Sequence, residues 1–405
     1  MPLKTTNAPM QPGLIVFILS LLLGLQPLTT DLYLPALPAL TEGFGAPMVQ
    51  AQLTLTALLL AFGSSQLIWG PLSDRFGRRP VLLIGLAAYV LASVGCVLSP
   101  SMHLLIVWRA LQGAAMGAAV VCARAIVRDL YQPAQGARVM SKGLSGLAVV
   151  ACLSAPLGGL LSDLYNWRVA LAVLAIFGAG CLAVIVLRYE ETIPQKNLQA
   201  LRPTVLLSTW WTILRNPTFA AFSALSVSSY GGLFTFLASS SFVFIKVQGF
   251  SKTQFGLLML CTSVVYLSGT FLCRSLLTRF GVRRTVAIAG AITLTAGTTM
   301  GVLALLGVHS SLAIMLPMFV FMLGHGIHQP CGQSGAVGPF PQAAGAASAL
   351  NGFLMMLAAF FMGSWLGTHL DNTVYPLVYG IWFWSVLITL SAWTLVQKHG
   401  QTRAD

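Results

Sequence analysis

From its amino end the chain alternates long apolar stretches with short polar breaks. A helix crossing ~30 Å of hydrocarbon needs ~20 apolar residues, and twelve stretches have that length. They lie at about 14–38, 50–70, 80–98, 104–127, 140–161, 168–188, 217–240, 253–273, 285–307, 311–332, 345–368 and 374–396. Each predicts a membrane-spanning helix. The first resembles a secretory leader, with Lys4 ahead of Leu14–Leu25, yet no small-residue cleavage site follows and it reads as a retained span. The longest connection carries Glu190, Glu191, Lys196, Arg202 and Arg215 among prolines. It leaves six stretches on either side, so the expected division is an N-terminal bundle at 1–188, a linker at 189–216 and a C-terminal bundle at 217–405. The expected class is all-α and membrane-integral.

Composition narrows the function. Of 405 residues 57% are hydrophobic and 8% charged, with a mean hydropathy of +0.83. Soluble proteins devote about a quarter of their residues to charge, so this chain could not cover a surface facing water. A soluble enzyme, a disordered tail and a coiled coil are excluded. The net charge of +13, from 22 Lys and Arg against 9 Asp and Glu, would suggest nucleic acid on a soluble chain. Here the bases fall in loops, and nearly all on one side when the loops are alternated. The other side holds only Arg168, Lys246 and Lys252, while Arg109 falls inside a span. By the positive-inside rule both termini and the linker face the cytoplasm. No nucleic-acid partner is implied; the partner is the bilayer. Seven cysteines lie singly in apolar stretches with no C-x-x-C spacing, which predicts packing rather than a disulfide framework or metal site.

Few polar residues are placed where they need a reason. Asp31 is the only carboxylate well inside a span, and Arg109 lies at a similar depth in the same half, taking ~1.5 Å per residue. Burial favours the neutral carboxyl and a nearby cation favours the charged one, so the two together suggest proton coupling. His325 and His328, three apart in span ten, predict a polar cavity lining with Gln333; no carboxylate or cysteine completes a metal set, and no metal is expected. Tyr33, Tyr230, Phe234 and Phe236 are candidate walls of a substrate pocket. No base–nucleophile–acid set or extramembrane domain points to an enzyme, though a membrane enzyme or sensor using the histidines stays as the alternative of a different class.

Two sequence echoes sharpen this. Arg75, Phe76, Gly77, Arg78 and Arg79 follow span two, and Arg279, Phe280, Gly281, Val282 and Arg283 follow span eight, the matching position of the second half. Parallel six-helix repeats around a central site are an architecture of secondary transporters. Gly70 to Arg79 resembles the major facilitator loop signature, usually written G-x-L-a-D-R-x-G-R-R. In a gate, Gly70 and Gly77 permit close approach and a tight turn, while Arg75, Arg78 and Arg79 can pair with acids or helix C-termini, Asp129 being the nearest acid in that half. Asp74 is expected to cap the start of span eleven, across the two halves; Thr278 stands in its place in the second copy. Arg109, Gln112 and Gly113 resemble the family's fourth-span signature R-x-x-Q-G. Pro156 and Gly159 fit the antiporter signature of span five, with Ala155 where glycine is usual.

Thr30 to Pro38, Glu191 with Thr192, and Gly345 to Leu350 extend the resemblance to the bicyclomycin/chloramphenicol-resistance (Bcr/CflA) branch of drug:proton antiporters. That resemblance implies two six-helix pseudo-symmetric halves in the major facilitator fold. It implies a monomer in a bacterial inner membrane that exports small lipophilic drugs or related metabolites in exchange for protons. The proton gradient is then the energy source, with no cofactor. A facilitator or proton symporter of the same fold is the closer alternative.

Overall fold

The computed structural model describes residues 10–131, 133–193, 196–197, 200–370 and 373–400. The terminal bases Lys4 and Arg403 lie outside them. Helix dominates, and no strand occurs among the described residues. The helices are α1 (Pro12–Asp31), α2 (Leu37–Phe44), α3 (Met48–Phe76), α4 (Arg78–Leu98), α5 (Met102–Leu130), α6 (Pro133–Leu164) and α7 (Trp167–Arg188). They continue with α8 (Pro203–Leu214), α9 (Pro217–Ser241), α10 (Lys252–Leu305), α11 (Ser311–Val337), α12 (Ala344–His369), α13 (Tyr375–Leu390) and α14 (Val396–His399).

Local chemistry starts several of these helices. Side chains of Ser101, Asn166, Asn216, Ser251 and Ser310 accept from the first free N–H groups of α5, α7, α9, α10 and α11, and Ser251 with Gln254 forms a full capping box. These donors have no partner within the helix and would otherwise depend on water. The first span is broken near its outer end. α1 stops at Asp31, a tight turn occupies Leu34–Ala36, and the path resumes as α2. Pro35 has no N–H to continue the ladder.

Among the described residues, eleven helical segments are long and apolar enough to cross a membrane. The expected count of twelve is nevertheless met, because α10, at 54 residues, is two crossings folded back at Gly281 (φ 68, ψ 176). The loop expected around Arg274–Arg284 is thereby reduced to one non-helical residue, which only glycine adopts readily. Its sequence counterpart Gly77 (φ 113, ψ 161) separates α3 from α4 in the same manner. The linker, expected as loop, contains α8, whose Val205, Leu207, Trp211 and Leu214 are exposed. Large apolar side chains such as Ile176, Leu187 and Phe361 stand open on the flanks, as the solvent of a lipid-embedded protein allows.

Two seams join the halves. α3 packs along α12, and α6 packs along the first arm of α10. The internal repeat therefore generates related helices whose surfaces meet across the middle of the molecule.

Candidate functional site

Polar groups gather in three places: inside the first half, at its base-rich end, and along the seams. The first is built around Arg109 of α5, which is fully buried. Its guanidinium donates to Gln112 Oε1 (2.7 Å) and to the Thr29 carbonyl (3.2 Å), and stacks 4.2 Å over the Tyr33 ring. Gln112 passes the chain on by donating to Ser93 Oγ (2.7 Å), and Thr29 Oγ1 meets the Tyr89 hydroxyl at 2.7 Å. Tyr33 is held at its far end by Thr54 (2.6 Å). No carboxylate ion-pairs with this cation among the described residues. Carbonyl, amide and ring π-face share its charge instead, a cation–π contact being worth ~2 kcal/mol when desolvated. Arg109 Nε has no hydrogen-bond partner.

Asp31 and Arg109 are therefore close in sequence-derived depth without being paired. The Asp31 carboxylate takes the Thr30 hydroxyl (2.7 Å), and lies within electrostatic reach of Cys152 on α6 and Tyr230 on α9. The aspartate thus sits where the halves face each other, whereas the arginine points into the first half. Tyr33 and Gln112, expected in the substrate cavity, belong to the arginine's buried network. Burial of both side chains explains the difference.

The histidines also move from their expected place. His325 and His328 are 3% and 0% exposed, so they pack inside the second half rather than line an open cavity. His325 Nδ1 meets Ser229 Oγ at 2.8 Å, with its ring between Tyr266 and Phe321. Gln333 is exposed and donates to Gln329 (3.1 Å), which donates to the Ser226 carbonyl. Phe234 is fully buried beside Thr56 of α3, near Gly363, at the seam between halves; Phe236 is buried too. Tyr230 keeps partial exposure.

At the base-rich end, Arg78 forms a knot. Its Nε donates to Asp129 Oδ2 (2.8 Å), and one terminal nitrogen donates to both Asp74 Oδ1 and Ser73 Oγ (2.7 Å each). Arg128 reaches Asp74 at 3.5 Å. The Glu191 carboxylate accepts from the backbone N–H groups of Arg78 (3.0 Å) and Arg79 (3.1 Å), so it caps α4 where an anion suits the helix dipole. A side chain on Gly77 would strike that carboxylate. Arg79 donates to the Val186 carbonyl (3.2 Å) and Arg75 stacks on Phe76. Of the signature, Arg78 is thus brought to Asp129 and Arg79 to the carboxyl end of α7, while Arg75 stacks on its neighbour and Gly70 lies within α3 rather than at the turn.

Asp74 does not cap α12. The N-cap there is Ala343, without a side-chain bond. Arg78 lies four residues beyond Asp74, across the Gly77 turn at the start of α4, and its guanidinium takes the carboxylate. Across the halves at this end, Arg124 donates to Ser348 Oγ (2.9 Å).

The base-poor end is richer in contacts between halves, and none involves a residue expected to act there. Lys246 pairs with Glu42; Lys252 donates to the Ser162 carbonyl (2.9 Å); Asp163 accepts from the Thr253 N–H (2.7 Å) and hydroxyl (2.6 Å). Gln52 donates to the Ala238 carbonyl (2.5 Å). Pro156 and Gly159 lie on this seam: a side chain on Gly159 would meet the Lys252 carbonyl, and one on Gly256 would meet Ala155 and Pro156.

The cysteines are free, and most are buried. Cys273 and Cys331 nonetheless come together, Sγ to Sγ 3.7 Å, an approach that residues so far apart in sequence do not reveal. Among the described residues, no group of three or more potential metal ligands assembles.

Comparison with known proteins follows the same lines. Residues 19–363 match the model of the Major Facilitator Superfamily. Multidrug resistance protein D of Escherichia coli (strain K12) is 30% identical over 350 residues, covering 86% of this chain and 87% of that protein. A bicyclomycin resistance protein homolog of Haemophilus influenzae is 27% identical over 397 residues, covering 97% and 99%. In architecture the chain is similar to the xylose transporter XylE from E. coli, solved in a partially occluded inward open conformation, with a TM-score of 0.74 and 14% identity over 97% of this chain and 99% of that one.

Proposed function

Because this chain belongs to the Major Facilitator Superfamily, we propose that it is a proton-coupled exporter of small lipophilic compounds, held here in the state whose outward side is shut. The observation that carries the reading is Asp31. It is a carboxylate within the first span, bonded to Thr30 alone among the described side chains, on the surface where the halves face each other. Exchange of substrate for protons needs one group that holds either a proton or a charge as the halves rock, and Asp31 is placed for that. Arg109 supplies a fixed positive field in the same half without quenching the aspartate by an ion pair. Relatives named for multidrug and bicyclomycin resistance support lipophilic drugs as the cargo.

In this reading the base-rich side is cytoplasmic, in a bacterial inner membrane, and both termini lie on that side. The chain divides at 1–188, 189–216 and 217–405. It works as a monomer, performs no covalent chemistry and needs no cofactor beyond the proton gradient. Tyr230 and the exposed Gln333 remain on the substrate path; the base-rich knot steadies the inner mouth. The test is flux in proteoliposomes with an imposed pH gradient, using a drug panel that includes chloramphenicol and bicyclomycin. Wild type should transport only with the gradient, and Asp31→Asn should insert normally yet lose that coupling. A fully active Asp31→Asn protein would overturn the assignment. Equal wild-type flux with and without the gradient would make the protein a facilitator.

A further inference from the structure

The base-poor end holds a device that the family signatures do not contain. Asp163 is the penultimate residue of α6, and Thr253 is the second residue of α10 in the other half. One carboxylate oxygen, Oδ2, accepts from both the backbone N–H and the hydroxyl of Thr253. An acid from the carboxyl end of one helix therefore rests on the amino end of another, where the dipole is positive. The return contact has the opposite sign. Lys252, the first residue of α10, donates to the Ser162 carbonyl at the end of α6, where the dipole is negative. Each helix end thus lends its neighbour the charge that the neighbour's dipole favours.

The backbones beneath this exchange are in direct contact. Gly159 lies against the Lys252 carbonyl and Gly256 against the Ala155 carbonyl, with no room for a side chain at either position. Separating the halves here breaks three hydrogen bonds and exposes two helix ends together. Elsewhere at this end the Glu42–Lys246 pair and the bond from Gln52 to the Ala238 carbonyl also cross the halves. The base-rich end offers one cross-half side-chain bond among the described residues, Arg124 to Ser348.

We propose that Asp163 and Lys252 are the positioning residues of an outer gate, whose exchange of charge between helix ends sets how often the transporter opens outward. They touch no substrate; they act on the equilibrium between the two states. The proposal rests on the transport reading above, since a gate has meaning only for a protein that opens on both sides.

The test measures opening directly, without substrate. Spin labels at Tyr165→Cys and Leu306→Cys, in a Cys261→Ser background, report the distance across the outer mouth by double electron–electron resonance. Both sites are exposed and neither side chain takes part in the exchange. In lipid nanodiscs the unmodified gate should give mainly the short distance. Asp163→Ala should enlarge the long-distance population ~5-fold, the order expected for a charge-assisted contact partly open to water. Thr253→Val, which keeps the N–H, should do so by a smaller factor. In transport, Asp163→Ala should change turnover with little change in KM. Lys252→Met removes the contact at the end of α6 but leaves Asp163 on the start of α10, and it serves if Asp163→Ala does not fold; it should shift the distribution in the same direction.

An unchanged distribution in the folded variants overturns the gate. Two outcomes separate this inference from the export reading. A shifted distribution in a protein that moves no drug removes the cargo assignment and leaves the gate. Drug export with an unshifted distribution does the reverse.

Discussion

The two ends of the molecule hold their charges in opposite ways. At the base-rich end Arg78, Asp74, Asp129 and Glu191 bind one another within the first half and the linker beside it. At the base-poor end Asp163, Lys252, Glu42 and Lys246 bind across the halves. Both are networks of acids and bases, but they do different mechanical work. A network inside one half stiffens that half and is indifferent to whether the halves are apart. Only bonds that cross the seam weigh one state against the other, and a ligand or residue shifts an equilibrium only by its differential interaction with the two states.

Substitutions can break this contrast in order of expected size. Arg78→Met should have the largest effect, about 3 kcal/mol of lost stability, because it takes the buried cation from Asp129 and Asp74 and leaves them only the exposed Arg128, at 4.0 and 3.5 Å. Thermal unfolding in detergent would show the loss, while distances across the outer mouth should stay the same; a shifted distribution would erase the distinction between the ends. Next comes Arg109→Ala, between the two ends, with a ~100-fold loss of pH-driven flux. Arg109→Lys should recover only part, since an ammonium cannot hold Gln112, the Thr29 carbonyl and the Tyr33 ring in the fixed fork of a guanidinium. Full flux in the alanine protein would make the buried network structural only.

Asp74→Asn should cost about 1 kcal/mol of stability, because the amide oxygen still accepts from Arg78. It should leave the inner mouth's distance distribution unchanged, and an inward-open shift would restore the cross-half cap expected from sequence. Smallest is Ser348→Ala, at about 0.5 kcal/mol, since its single bond to Arg124 is exposed. The bond is formed in the state seen here, so its loss should shift the outer-mouth distances in the same direction as Asp163→Ala, and by far less.

The legible part of the fold was the part set by solvent. Twelve crossings followed from apolar run length because lipid leaves the backbone no alternative to helix. The fusion of two crossings into α10 was not, because the basic run from Arg274 to Arg284 reads as a loop, whereas Gly281 alone makes the turn and the residues around it stay helical. The Arg78–Asp129 contact followed from charge sign and side of the membrane. The partner of Asp74 did not: two candidates were compatible with its charge, and the nearer one, four residues on across the Gly77 turn, prevailed. His325 and His328 share a spacing but not a partner, and burial depends on what the neighbouring helices present to them. Asp163 was silent because a carboxylate at a helix end reads as solvated until the end of another helix is found against it.

The repeat also contains its own control. Gly77 and Gly281 adopt positive φ at matching places in the two halves, so the turn itself was copied when an ancestral half was duplicated. What differs is written beside it. Where the first copy has Asp74 and Arg78, the second has Thr278 and Val282, and no carboxylate lies against Gly281 as Glu191 lies against Gly77. Among the described residues the Thr278 hydroxyl bonds only to the Ser275 carbonyl of its own helix. Descent has thus separated two properties that look inseparable in the first half: the geometry of a bend survives on one glycine, while the clasp around it was free to be lost.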